Sequence, residues 1–184
     1  VLDTAIQHQI RLTVTKGFNQ PWSMAFLPDG GILVTERAGR LRVVRDGVLD
    51  PNPIAGMPQV QAQGLAGLMD IALHPRFAEN KLIYFTYHKP AAANPTPGNN
   101  AGWITLARGR WDGKGIADTR DLFTAIQSGN ASRLVFGKDG MVYMSVGTGD
   151  PPGAARAQDP NDLAGKVLRL RDDGTVPPDN PFVG

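Results

Sequence analysis

One short pattern occurs three times along this 184-residue chain and constrains its fold more than any other feature. In each copy an Arg stands four residues before an Asp-Gly pair, within a run of strand-forming residues. The pairs are Asp46-Gly47, Asp112-Gly113 and Asp173-Gly174. Such pairs occur in calcium loops, but they are far more typical of hairpin turns, because Asp and Gly tolerate positive φ. The pattern therefore predicts three sets of antiparallel strands.

A second pattern, an apolar run closed by turn residues, precedes each copy, at residues 24–30, 71–75 and 134–140. Repeats spaced roughly 45–65 residues apart, each holding several strands, are typical of propeller blades rather than of a sandwich. We therefore predict an all-β fold: a single β-propeller domain over residues 1–184, built of four-stranded antiparallel blades. The blades are predicted at about 9–60, 61–127 and 128–184, and the alternation at 9–14 predicts a half-buried first strand.

Composition excludes several classes of function. The chain has no Cys, which rules out disulfides, thiolate metal sites and Cys nucleophiles. The net charge is only +2 and the Arg residues are dispersed, so we expect no nucleic-acid binding. No apolar stretch approaches the ~20 residues of a membrane span. No His or carboxylate pair has a specific metal-ligand spacing, so the sequence predicts no metal-binding residues.

Three blades do not close a propeller, because closed forms have about 4–8 blades. An open stack would expose the apolar sides of its first and last blades to water. We therefore expect either self-association, with two copies pairing face to face, or a missing C-terminal half that completes the ring.

Several segments together resemble one known family. They are residues 20–30, 33–41, 67–77, 133–140, 157–160, 165–169 and 173–182. In this order and spacing they resemble the glucose/sorbosone dehydrogenase family, whose members are soluble aldose sugar dehydrogenases dependent on pyrroloquinoline quinone (PQQ). The resemblance covers about the N-terminal half of such a protein and implies half of a six-bladed propeller.

The resemblance also implies a reaction and a location. PQQ would lie with a calcium ion on the top face near the central channel. An aldose sugar would be oxidised at its anomeric carbon to a lactone, with a His taking the hydroxyl proton while hydride passes to the quinone. Family members of this kind usually work in the periplasm or are secreted.

The sequence departs from the family at three functional positions. The catalytic His position falls on Gly129, so the catalytic residue is unknown. A cofactor-contacting Gln falls on Leu65, but Gln63 lies close by. A family Asp falls on Thr148, and Asp150 follows two residues later. Gln63 and Asp150 are therefore the predicted cofactor-binding residues.

Other polar residues are candidates for substrate contact or for a replacement base. Gln158, Asp159 and Asn161 lie in a long loop and are predicted to contact the substrate. Glu36 and Asp150 are the carboxylates that could replace the missing base.

The two His residues outside the N-terminal segment receive structural predictions. We expect His74, in a Leu-His-Pro turn, to pack or to hydrogen-bond within that turn. We expect His88, at the end of an aromatic strand, to be exposed.

Three functions remain open on the sequence. The first is a PQQ-dependent oxidoreductase-like protein whose expected catalytic His is replaced. The second is a non-catalytic propeller module that binds a carbohydrate or a protein partner. The third is a purely structural half-propeller that self-associates.

Overall fold

The structure is a computed structural model, and the fold is built almost entirely from β-strands. It describes residues 2–3, 9–10, 12–90, 102–125, 129, 131–148 and 153–182. Strands β1 (Leu2–Asp3) and β2 (Gln9–Ile10) pair as a small antiparallel ribbon. The predicted half-buried strand at 9–14 is wrong: β2 ends at Ile10, and Leu12 and Val14 are exposed. Alternation buries a strand only where a neighbouring sheet covers its apolar side.

The first large sheet follows the prediction closely. It contains, in spatial order, β3 (Pro21–Phe26), β4 (Ile32–Glu36), β5 (Arg40–Arg45) and β6 (Val48–Leu49). Asp46 and Gly47 both have positive φ, 50° and 79°, and they join β5 to β6 as a two-residue hairpin. This is the turn that an Asp-Gly pair favours, because a positive φ costs Asp and Gly less energy than it costs most other residues.

The second sheet is also four-stranded and antiparallel. It contains β7 (Leu68–Leu73), β8 (Leu82–Lys89), β9 (Trp103–Trp111) and β10 (Ile116–Ala125), with helix α1 (Phe77–Asn80) between β7 and β8. Residues 103–111 form one continuous strand, which pairs with both β8 and β10. The chain reverses only after Trp111, where the Asp112 carboxylate accepts the N–H groups of Lys114 and Gly115.

The third sheet has three strands among the described residues, where four were predicted. They are β11 (Leu134–Phe136), β12 (Val142–Val146) and β13 (Lys166–Leu170), with helix α2 (Gly153–Arg156) between β12 and β13. The third Asp-Gly turn is also held by its own Asp, because Asp173 accepts the Thr175 N–H at 2.9 Å. All three Asp-Gly pairs therefore form turns, as predicted, but only the first two join paired strands; among the described residues no strand follows the third.

The three sheets stack front to back around their innermost strands β3, β7 and β11, with β7 touching both of the others. Alternate side chains of β8 pack against different neighbouring sheets. Ile83, Phe85 and Tyr87 pack toward the first sheet, whereas Tyr84 packs toward the third. Burying each large apolar side chain in this way stabilises the fold by about 1.5–3 kcal/mol. This is the packing of propeller blades, and it confirms the predicted all-β class.

The outward sides of the first and third sheets carry exposed apolar side chains, as expected for an open stack. Met24 and Phe26 on β3 are 58% and 68% exposed. Val135 on β11 and Val167 on β13 are 60% and 70% exposed. These two surfaces, which we call the open faces, lie at opposite ends of the stack.

Candidate functional site

The three inner strands begin at the same end of the stack, which we call the upper end, and a carboxylate joins them there. Asp70 of β7 is 93% buried, since only 7% of its surface is exposed. The Ser23 hydroxyl of β3 donates to one of its oxygens, and the Leu134 N–H of β11 donates to the other at 2.7 Å. One side chain therefore ties all three sheets together beside the axis around which they stack.

His88 lies at the upper end of β8 and is fully buried, so the expectation that it is exposed is wrong. It shares the face of β8 that carries Tyr84 and packs toward the third sheet, which covers it. Its Nδ1 accepts the Gly67 N–H at 3.2 Å, so Nε2 carries the proton and donates to the Gly129 carbonyl at 3.1 Å. Burial lowers the pKa of His88, although the hydrogen bond to the Gly129 carbonyl partly opposes that shift.

The segment of residues 61–67, which we call the 61–67 loop, holds the predicted cofactor residue Gln63. Both of its ends bond to the backbone of His88: the Gln61 N–H donates to its carbonyl, and the Gly67 carbonyl accepts its N–H, each at 2.9 Å. Between them Gln63 is exposed, and its carbonyl accepts the Ala66 N–H at 2.8 Å. The Gln63 side chain is thus presented to solvent at the upper end.

Gly129, the position on which the sequence comparison with the family was expected to place the catalytic His, is buried. Its N–H donates to the Gly147 carbonyl at 3.0 Å, and its carbonyl receives the His88 proton. Glycine has no side chain to accept a proton from a substrate. Asp150, the other predicted cofactor residue, lies outside the described residues.

Glu36 does not supply the replacement base. It is fully buried at the end of β4, where it accepts the Asn19 N–H and the Arg40 Nε–H, both at 2.6 Å. Burial alone would raise the pKa of Glu36, but the Asn19 bond and the charges of Arg40 and Arg42 outweigh it, so the pKa is lowered. A buried carboxylate with a lowered pKa is a structural anion and a poor proton acceptor.

The predicted substrate residues Gln158, Asp159 and Asn161 follow α2 and are all exposed. Asp159 accepts the Asn161 N–H at 2.9 Å, so these two are engaged in their own turn. Gln158 lines a cavity of about 650 Å³ beside the open face of the third sheet. The structure therefore places Gln158 against a cavity and leaves Asp159 and Asn161 on the surface.

Two cations at the upper end suit an anionic ligand. The Arg133 side chain is 69% exposed and lies 3.6 Å from the Asp70 carboxylate. Arg37 donates to the Gln20 side chain at 2.9 Å and to the Gly64 carbonyl. Guanidinium groups are well matched to carboxylates. A metal ion has no comparable site among the residues that the structure describes, because they contain no group of three or more His, Cys, Asp or Glu able to hold one.

His74 lies at the opposite, lower end and has the structural role that the sequence predicted. It is buried, its Nδ1 accepts the Arg76 N–H at 3.0 Å, and its ring packs on Tyr84 and Phe136. Burial lowers the pKa of His74, against the opposing charge of Asp172. Tyr84 and Arg108 also donate to the Asp172 carbonyl, which anchors the third Asp-Gly turn to the second sheet.

The two buried histidines predict that stability falls in mild acid. Their pKa values are lower in the fold than the 6.5 of the unfolded chain, so the unfolded state binds more protons. The free energy of unfolding should therefore decrease as the pH falls below about 6.5, by at most about 1.4 kcal/mol per pH unit for each His. Urea unfolding at pH 7.5, 6.5 and 5.5 checks this. A free energy of unfolding that stays constant over this range would contradict the prediction. The variant His74→Gln should show a smaller pH dependence of the free energy of unfolding, because only His88 then contributes to it.

Comparisons with known proteins give a consistent result. Residues 18–184 match the family model for glucose/sorbosone dehydrogenase. The chain is 44% identical to the Synechocystis protein slr1608 over an alignment of 191 positions, which covers 92% of this chain and 44% of that protein. It is 36% identical to the aldose sugar dehydrogenase YliI of Escherichia coli over 171 residues, 90% of this chain and 44% of YliI.

Solved structures agree. The PQQ-bound form of an aldose sugar dehydrogenase from Streptomyces coelicolor superposes with a TM-score of 0.78 at 29% identity, covering 96% of this chain and 52% of that one. The chain thus spans about half the length of the relatives that it matches. Within the described residues, neither helix has the length and apolar character needed to cross a membrane.

Proposed function

The chain belongs to the glucose/sorbosone dehydrogenase family, and from that premise we propose that it takes part in PQQ-dependent oxidation of an aldose sugar at the anomeric carbon to a lactone. The observation that carries the proposal is the family match over residues 18–184, a range that includes both the 61–67 loop and Gly129. The 61–67 loop and Gly129 meet at His88, at the upper end where the inner strands begin.

The residues at the upper end fit PQQ in part. PQQ, when bound, supplies the quinone that accepts the hydride. Arg37 and Arg133 are positioned to hold its carboxylates, and the exposed Gln63 amide can hydrogen-bond to it. Asp150 is proposed as a further cofactor contact, and Gln158, Asp159 and Asn161 as contacts to the sugar. A calcium ion would need donors beyond the acidic and imidazole groups of the described residues.

The second candidate is a non-catalytic module that binds a carbohydrate or a protein partner. Two observations favour it: position 129 has no side chain, and Glu36 is ion-paired with Arg40 and Arg42. Without a general base the same mechanism would lose about 10²–10⁴ in rate.

The open faces lead to a proposal about partners. We propose that they are covered either by the C-terminal half of a longer chain or by a second copy, since exposed Met24, Phe26, Val135 and Val167 favour burial. Light scattering of the isolated chain distinguishes the two: a dimer supports the second copy. We also propose a periplasmic or secreted location, from the family alone.

A titration with PQQ and calcium, followed by dye reduction with D-glucose and other aldoses, tests the function. We expect saturable PQQ binding, and we expect Arg133→Gln to weaken it about tenfold because a charged hydrogen bond is lost. Arg110→Gln is the control, since Arg110 pairs with Asp118 far out on β9 and β10. Dye reduction supports the dehydrogenase. PQQ or glycan binding without turnover supports the second candidate, and a protein that binds neither contradicts both.

A further inference from the structure

His88 makes four hydrogen bonds that converge on two segments of the proposed site. Its backbone N–H and carbonyl bond to Gly67 and Gln61, the two ends of the 61–67 loop. Its side chain accepts from the Gly67 N–H and donates to the Gly129 carbonyl. No water competes for these bonds, because the side chain is fully buried.

The two segments that His88 joins are the ones that carry the predicted cofactor contact Gln63 and the position of the family's catalytic residue. We propose that His88 is a positioning residue, whose imidazole sets the distance between the 61–67 loop and Gly129 and so shapes the PQQ site. This inference rests on the proposed function. His88 itself does not contact the ligand, since both of its ring nitrogens are occupied by protein groups.

The backbone on each side of the imidazole is held by contacts of its own. The Gly67 backbone packs so closely on Arg37 that a Cβ at residue 67 would lie 2.6 Å from the Arg37 Cγ. On the other side, Gly129 is fixed to Gly147, and Gly147 to Ala131, by backbone hydrogen bonds of 3.0 and 2.9 Å. The ring of His88 spans the gap between these two rigid pieces, so removing it leaves a buried N–H and a buried carbonyl facing each other across a void.

Two substitutions separate the two ends of the imidazole. In His88→Asn the side-chain oxygen takes the place of Nδ1 and keeps the acceptor for Gly67, but the donor to Gly129 is lost. In His88→Gln the amide nitrogen takes the place of Nε2 and keeps the donor to Gly129, but the acceptor for Gly67 is lost. His74→Gln is the matched control, because His74 is equally a buried histidine but lies at the lower end.

Amide hydrogen exchange of the full chain, measured without any cofactor, is the first readout. We expect His88→Gln to speed exchange about tenfold at the Gly67 amide, whose acceptor is lost, and His88→Asn to leave that amide protected. Loss of the donor to the Gly129 carbonyl in His88→Asn should loosen Gly129 and speed exchange at its own amide, which bonds to Gly147, by a smaller factor. His74→Gln should leave both amides unchanged. Equal effects at both amides in each variant, or faster exchange throughout the molecule, would overturn the positioning role.

PQQ affinity, followed by absorbance in the presence of calcium, is the second readout. We expect both His88 variants to bind PQQ about tenfold more weakly than the parent and His74→Gln to bind it equally well. Unchanged affinity in the His88 variants would overturn the link to the cofactor site. If the parent protein binds no PQQ, the proposed function fails and with it that link, whereas the exchange result still decides whether His88 holds the two segments.

Discussion

Replacing Gly56 by alanine is expected to destabilise this protein by about 3–5 kcal/mol, one of the two largest effects that we predict. Gly56 lies in the segment between β6 and β7 that crosses from the first sheet to the second, which we call the strap. There Ala55 pairs with Gly115, and Thr119 donates to the Gly56 carbonyl. Its φ is +94°, and a Cβ would lie 2.8 Å from the Ile116 carbonyl carbon and closer still to its oxygen. The strap would have to leave the sheet, which would break the Ile116 to Ala55 hydrogen bond.

Gly30→Ala is the matched control for that experiment. Gly30 has a similar φ of +85°, but a Cβ there would meet no heavy atom within 4 Å. It should therefore show only the backbone strain of an alanine at positive φ, about 1 kcal/mol. Urea unfolding of both variants measures the difference, which isolates the close approach of the strap. Equal losses in the two variants would mean that the strap moves away from Ile116 at little cost.

The fold was largely predictable because its signals are local. Asp46-Gly47 predicts a hairpin from residue chemistry alone, and the two-residue turn between β5 and β6 confirms it. The number of strands in each sheet was harder to predict: the run 103–111 contains Arg108 and Gly109, which resemble a break, yet it pairs on both sides as one strand. Sheet neighbours, which lie far away in sequence, decide such cases.

The candidate site was less predictable because its residues act through distant partners. His88 follows an aromatic strand and precedes Lys89 and Pro90, which is typical of an exposed strand end. The one signal for its burial was the even spacing of four residues from Tyr84, which places both on the same face of a strand that is covered on both sides. Nothing local shows that Glu36 meets Asn19, seventeen residues away, as well as Arg40 and Arg42.

Asp70→Ala should also destabilise the protein by about 3–5 kcal/mol. The change removes the acceptor of the half-buried Ser23 hydroxyl and of the buried Leu134 N–H, which belong to two different sheets. It also removes the counter-charge 3.6 Å from Arg133. Because the bonds that are lost hold the first and third sheets to the second at the upper end, unfolding in urea should begin at lower denaturant. Exchange of the Leu134 amide should show the largest increase.

Two further variants separate the hydrogen bonds of Asp70 from its charge. Asp70→Asn keeps one oxygen for the Leu134 N–H, and the Ser23 hydroxyl can turn to accept from the new amide, so the loss should fall to about 1 kcal/mol. Asp118→Asn removes the charge of an exposed partner of Arg110 and should leave stability unchanged, because surface ion pairs contribute little and Asn tolerates the φ of 54° at this position. If Asp70→Asn were as damaging as Asp70→Ala, the negative charge rather than the hydrogen bonds would be what joins the three inner strands, and Arg133→Gln should then weaken the fold as well.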